Sequence, residues 1–179
     1  MSAVSDRVGE LVRRLCPAPA FAGTPEMLER DFKNLIRLHC PAQDPKLLVN
    51  LAQDGRDHNS FTLAIGGNGR LLRSGAGMLA KGDFVFQRKT KRKFALTSYS
   101  FSVLRPLDDQ TAPAFVRFDL DAGWRADFVD HPRAHLHPGS DKVRVLAPVV
   151  QPLELLHWFL ALRRWPGQPM VDPPAEQTT

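Results

Sequence analysis

Cysteine is scarce. The 179-residue chain has two, Cys16 and Cys40, with no CxxC spacing. That argues against a disulfide framework or a cysteine-rich zinc module, and the expectation is reduced thiols in a cytoplasmic protein. Long apolar runs are missing as well. None approaches the roughly 20 residues that span a bilayer, so no membrane segment is expected. The opening residues, Met1 to Asp6, show no basic stretch followed by an apolar one and do not read as a secretory signal. A phosphate loop is also lacking. The glycine-rich stretch from Gly75 to Gly77 has no GxxxxGK[ST] pattern and reads as a turn.

What is present is a foldable composition with a localised charge. Apolar residues make up 43% of the chain, enough for a core and far from a disordered composition. The net charge is +5, and the segment from Lys81 to Lys93 alone holds six basic residues and one acid. The whole excess is therefore carried by one patch, a more specific sign of a polyanion partner than a diffusely basic surface.

Periodicity changes along the chain. Val4, Val8, Leu11, Val12 and Leu15 repeat at helical spacing until Pro17. A second helix starts at Thr24-Pro25, a capping residue followed by a proline suited to the first turn, with Met27, Leu28, Phe32, Leu35 and Ile36 as its apolar face. Leu47 to Leu51 suggests a further short turn. From Phe61 the period becomes two. Strands are expected at 61–65, at 70–73 returning through the Gly66–Gly69 turn, and at 84–88, 94–104, 114–121 and 143–146, with 124–129 as an extension. Pro152 to Leu162 is a helix that is apolar nearly all round, expected to pack across the sheet. The fold class is therefore α+β: N-terminal helices, an antiparallel meander of about five to six strands, and a C-terminal apolar helix on the sheet. The expected organisation is a helical segment at 1–53, a sheet domain at 54–165 and a disordered tail at 166–179, with 1–165 as one compact unit.

The stretch from His131 to Arg144 holds three of the six histidines. His135 and His137 are two apart, which on an extended segment turns both to one face; Asp119 and Asp121 share a face of the preceding strand in the same way. Were the two strands neighbours, His135, His137, Asp119 and Asp121 would form a candidate divalent-metal site suited to zinc or manganese. The same residues suit metal-free acid–base chemistry on RNA. One imidazole would take the 2′-hydroxyl proton and another would protonate the leaving oxygen, with His131 in reserve and Arg144, helped by Arg133, facing the transition-state charge. Ser140 and Asp141 would orient a histidine or cap a turn. The bland alternative is that Pro132 and Pro138 bracket a structural loop whose histidines bond the backbone. His39, His58 and His157 read as structural, His157 as a hydrogen-bonded core residue.

The basic turn formed by Arg88, Lys89, Lys91, Arg92 and Lys93 would grip phosphates without regard to sequence. Phe84, Phe86, Phe94, Tyr99 and Phe101 flank it, either as core residues or as platforms on which bases stack.

The elements between about Phe94 and Trp165 resemble a family of uncharacterised bacterial proteins, a domain of unknown function. The resemblance rests on Tyr99-Ser100-Phe101, then Arg117-Phe118-Asp119-Leu120-Asp121, then His131-Pro132 through Gly139, then Arg144, Pro148 and the proline-started helix. A similar order occurs in the shorter TumE-type components of bacterial toxin–antitoxin systems. This resemblance implies a prokaryotic toxin or antiphage-defence protein. The combined expectation is a cytoplasmic protein acting on nucleic acid, RNA in particular, as a ribonuclease. The competing reading is a non-enzymatic module that binds nucleic acid or an acidic protein such as a cognate antitoxin. Neither reading fixes the oligomeric state.

Overall fold

The computed structural model describes residues 20–53, 59–67, 70–105, 115–121 and 133–162. Helix α1 (Pro25–His39) begins as its sequence dictates: the N–H of Met27 donates to Thr24 Oγ1 at 3.3 Å, and Pro25 fills the first turn. Leu28, Phe32 and Ile36, one turn apart, are its buried stripe. A single turn, α2 (Pro45–Leu48), follows and leads directly into strand β2 (Val49–Gln53). Where the sequence suggested only a further turn at Leu47 to Leu51, the stretch from Val49 onward is a strand. The proposed helix over residues 4–15 lies outside the described residues.

Nine strands among the described residues form one antiparallel sheet, in the order β2-β3-β5-β6-β7-β8-β9. The remaining members of that path are β3 (Ser60–Ile65), β5 (Leu79–Thr90), β6 (Lys93–Leu104), β7 (Phe115–Leu120), β8 (Ala134–Pro138) and β9 (Val145–Leu146). Two short strands attach to it: β1 (Ala20–Ala22) pairs with the start of β6, and β4 (Leu72–Arg73) pairs with β5. The count exceeds the five to six expected because β1, β2 and β8 were not anticipated: β1 is only three residues long, and β2 and β8 read in the sequence as a turn and a loop. Residues Arg70 to Arg73 do not return against Phe61–Ile65. The neighbour of β3 is β5, which is long enough to pair along all of it. Ser74 to Gly77 is the turn the sequence suggested, with the N–H of Gly77 donating to the Ser74 carbonyl at 3.0 Å.

Alternation along β3, β5, β6 and β7 gives the sheet two unlike faces. One carries Phe61, Leu63, Phe84, Phe86, Phe94, Leu96, Tyr99, Phe101, Val103 and Leu120, all buried. Helix α3 (Pro152–Ala161) and α1 cover it. The Phe32 and Phe84 rings meet at 5.8 Å, Phe101 and Phe159 at 6.1 Å, and Phe118 and Trp158 at 5.3 Å. Gly82 makes room on β5, since a Cβ there would lie 2.6 Å from Cδ2 of the fully buried Phe101. The sequence left a choice between core and base-stacking roles for the aromatics. All five are core, so β5 and β6 present no stacking platform.

The phase of β6 switches once. Val85 pairs with Ser98 and Phe86 with Leu96, which leaves Thr97 as a bulge whose hydroxyl donates to the Val85 carbonyl at 3.0 Å. Leu96 and Tyr99 can therefore both face the core, and Ser98 and Ser100 both face the other side. Helix α3 is less uniformly buried than its composition suggests. His157 is exposed and meets the His39 ring at 5.4 Å, so it is not a core histidine.

Candidate functional site

The register builds a site on the face that the helices leave uncovered. Asp83 pairs with Ser100, Ser100 with Asp119, and Asp119 with His135. In the adjacent row Ser102 pairs with Arg117, and Arg117 with His137. Residues two apart on a strand share a face, so Arg117, Asp119, His135 and His137 meet on two neighbouring strands. The sequence had bracketed the histidines between prolines as a possible loop. They stand on strand β8, which Pro138 and the positive-φ Gly139 (φ 78°) then terminate.

Both imidazoles are buried, His135 2% and His137 1% exposed. Their rings lie edge to face at 4.9 Å and turn toward one carboxylate. Asp119 Oδ2 is 3.2 Å from His137 Nε2 and 3.7 Å from His135 Nε2, and it accepts from Arg117 Nε at 2.8 Å. The other oxygen, Asp119 Oδ1, is buried with no hydrogen-bond partner among the described residues.

The tautomer of His137 decides what this contact means. Its Nδ1 lies 3.2 Å from the Ser140 carbonyl, which can only accept, so Nδ1 carries the proton. In a neutral ring Nε2 then presents a lone pair to a carboxylate oxygen. Only a second ring proton or a metal cation between them makes that approach attractive. The observed spacings are close to the roughly 3.3 Å edge of a tetrahedron built with bonds of about 2.0–2.1 Å, as for zinc bound by nitrogen and oxygen. A ring whose remote N–H is held by a backbone carbonyl is also the usual outer arrangement of a metal-bound histidine. One ligand atom from each of Asp119, His135 and His137 can be chosen so that all lie within 4.8 Å of one another. The described residues therefore contain a possible metal-binding triad.

The triad forms one side of a cavity of about 410 Å³, also lined by Asp83, Ser98, Ser100, Asp121 and Arg144. Arg144 is exposed at its rim. Arg117 bridges two carboxylates: besides Asp119 it donates to Asp141 Oδ1 at 2.7 Å, tying the segment after β8 to the strand that bears the carboxylate. Ser140 does orient a histidine, but through its carbonyl; its hydroxyl accepts from the N–H of Lys142 at 3.2 Å. Burial, above all, pushes the Tyr99 phenol beyond its ordinary range; the Asp119 charge adds to this, while the Val150 N–H bonded to the phenol oxygen opposes it.

Of the residues the sequence singled out, His135, His137, Asp119, Asp121 and Arg144 come together here. Arg133 heads β8, its carbonyl accepting from the N–H of Asp121 at 2.9 Å, and does not line the cavity. His131 lies outside the described residues. Lys89, Lys91, Arg92 and Lys93 cluster elsewhere, at the far end of the β5–β6 hairpin. Arg88 parts from them onto the helix-bearing face, with its guanidinium 5.9 Å from the centre of the Phe94 ring and Glu26 nearby. Sequence reasoning missed Arg117, Asp83, Ser98 and Ser100 as site residues. The two-residue spacing of Arg117 from Asp119 was the available signal for the first.

No helix among the described residues is long and apolar enough to cross a membrane. Compared with protein-family models, with curated proteins and with solved structures, the chain matches none.

Proposed function

We propose that this protein is a metal-dependent phosphodiesterase acting on nucleic acid, with RNA as the favoured substrate and Asp119, His135 and His137 as the ligands of one divalent ion. The observation that carries the reading is the convergence of two buried imidazole Nε2 atoms on one carboxylate, with His137 fixed in the tautomer that leaves Nε2 free to bind metal. Two neutral imidazoles and one carboxylate leave a divalent ion with a net positive charge and an open side toward the cavity, suited to an anionic substrate. Zinc is favoured because its catalytic sites take three protein ligands of this kind, and manganese is the next candidate.

An ion held there would polarise a phosphoryl oxygen and lower the pKa of a bound water. The protein groups divide the remaining work. Arg144 at the rim, and the hydroxyls of Ser98 and Ser100, bind the non-bridging oxygens. Arg117 holds Asp119 in place through Nε, and the Ser140 carbonyl holds His137. In this reading the histidines act as ligands and not as a proton-transfer pair, because both Nε2 atoms turn toward the same carboxylate oxygen. The resemblance to TumE-type components supports a toxin or defence setting for such an activity.

A second reading has its own support. The contacts from Arg117 to Asp119 and Asp141, and from His137 to Ser140, also suffice to pin a loop, which suits a binding module with structural histidines. The deciding experiment follows hydrolysis of bis(p-nitrophenyl) phosphate and of labelled RNA by metal-stripped protein reloaded with zinc or manganese. Metal-dependent turnover, abolished in His135→Ala, supports the enzyme. Metal-independent cleavage, or no cleavage by a folded, loaded protein, contradicts it.

A further inference from the structure

The charge that dominates the sequence does not lie at the triad. Lys89, Lys91, Arg92 and Lys93 are exposed around a two-residue turn that closes the Thr90–Lys93 pair. Lys89 donates to the neutral Gln87 Oε1 at 2.8 Å, and none of the four is ion-paired among the described residues. Four unneutralised cations on one short hairpin repel one another, and a polyanion removes that repulsion with release of its own counterions.

The tip meets the face of the triad at Lys89. The Gln87–Lys89 hydrogen bond joins residues two apart, so both side chains share the face that carries Asp83 and Val85 on β5. From the cavity edge at Val85 and Ser98 to the tip, β5 and β6 present Gln87 and Ala95, neither of them acidic or aromatic. The lane thus lets a phosphate backbone pass without repulsion, and it gives bases nothing to stack on. Ser100, beside Asp119, is seven residues along β6 from Lys93. At about 3.3 Å per residue, with one residue bulged, that is roughly 20 Å. The span equals about six nucleotides at the ~3.4 Å per-strand rise of a duplex, and fewer in an extended strand.

Burial of the ligand atoms selects the form of the polymer. With His135 and His137 almost wholly covered, the reacting backbone has to dip into the cavity. A single strand bends freely, whereas a duplex is stiff over so short a span and resists the bend. We infer that the Lys89–Lys93 hairpin tip is a distinct binding site for the backbone of a single-stranded polynucleotide, which then runs along the open face of β5 and β6 into the triad cavity. The inference deepens the nuclease reading by fixing the substrate as a strand longer than a dinucleotide, but binding at the tip is measurable without any cleavage.

The test is fluorescence anisotropy of the full chain in EDTA. Labelled oligouridylate and oligothymidylate of about twelve nucleotides, within the range of known single-strand sites, are compared with their dinucleotides and with a duplex of equal length. The variant changes Lys89, Lys91, Arg92 and Lys93 to Ser; Lys91→Ser alone, at the turn, serves as a milder control, and matching thermal melts establish folding. Loss of four phosphate contacts lowers the salt slope by about 2.8, since each single-strand contact contributes about 0.7. Between 50 and 200 mM salt, wild type therefore loses about fiftyfold more affinity than the fourfold variant. Dinucleotides, which cannot reach the tip from the cavity, should gain nothing from it. Equal slopes in wild type and variant, no binding of the long strands by wild type, or tighter binding of the duplex than of the single strand would each overturn the inference. If the tip binds as described while no metal supports hydrolysis, the nuclease reading fails and the binding site stands.

Discussion

Replacing Asp119 by Asn separates the structural role of the carboxylate from its proposed role as a metal ligand. Without metal the change should be small. Asp119 accepts from Arg117 at 2.8 Å, but Arg117 keeps its bond to Asp141 at 2.7 Å, and both pairs are partly solvated. Such pairs are worth about 0–1 kcal/mol after screening. The orphaned Oδ1 site stays buried with a polar atom in either protein, so the cost of about 1–3 kcal/mol for an unmade hydrogen bond largely cancels between them. In EDTA, Asp119→Asn should therefore lower stability by less than about 1 kcal/mol, or roughly 2–4 °C in Tm for a chain of this size. With metal the two proteins should diverge. An ion present at a thousand times its Kd stabilises the native state by about 4.1 kcal/mol, which raises Tm by roughly 8–16 °C. The neutral Asn side chain is a poor ligand and forfeits most of that shift. Paired circular-dichroism melts in EDTA and in zinc measure both quantities. An equal zinc shift in the two proteins would refute the assignment of Asp119 as a ligand, and a large loss in EDTA would refute the account of its hydrogen bonds.

Gly82→Ala tests the strand spacing that sets the site rows. The new Cβ would lie 2.6 Å from Phe101 Cδ2 and 2.9 Å from the Ser100 carbonyl oxygen. Overpacking of about 1–3 kcal/mol outweighs the roughly 0.4–1 kcal/mol gained from a stiffer unfolded chain, so urea melts should show a net loss; unchanged or raised stability would contradict the packing. Alkaline stability supplies another check. Burial raises the Cys40 thiol above its ordinary 9.0 and the Tyr99 phenol above 10.0. The unfolded chain loses these protons first, so their contribution is complete below those values and disappears as pH rises through the folded ones. A Cys40→Ala/Tyr99→Phe protein should show a flatter alkaline limb in its stability profile than wild type, and identical limbs would exclude both groups as its cause.

How far the molecule was legible in its sequence depends on whether each feature is local. Helix α1 was readable from Thr24, Pro25 and the Leu28/Phe32/Ile36 spacing, and α3 from Pro152 and its apolar run. The strands β3, β6 and β7 showed their period of two. The Thr97 bulge was not legible, because it depends on pairing with β5. Nor was β8: five residues closed by Pro138 and Gly139 resemble a loop until β7 is set beside them. The pairs His135/His137 and Asp119/Asp121 could each be placed on one face. That Asp119 sits opposite His135 is a fact of register between strands separated by residues 121–133, and no local signal carries it. His157 was misread for a related reason. A helix rich in Leu looks buried all round, yet one side of α3 remains open beside His39.

The central claim is that one divalent ion is held by Asp119, His135 and His137. The most direct measurement is the metal content of zinc-reconstituted, gel-filtered protein by elemental analysis, for wild type and for a His135→Ala/His137→Ala variant that remains folded by circular dichroism. The account predicts one zinc per chain in wild type and none in the variant. Metal-free wild type after reconstitution, or one zinc per chain in both proteins, would contradict it.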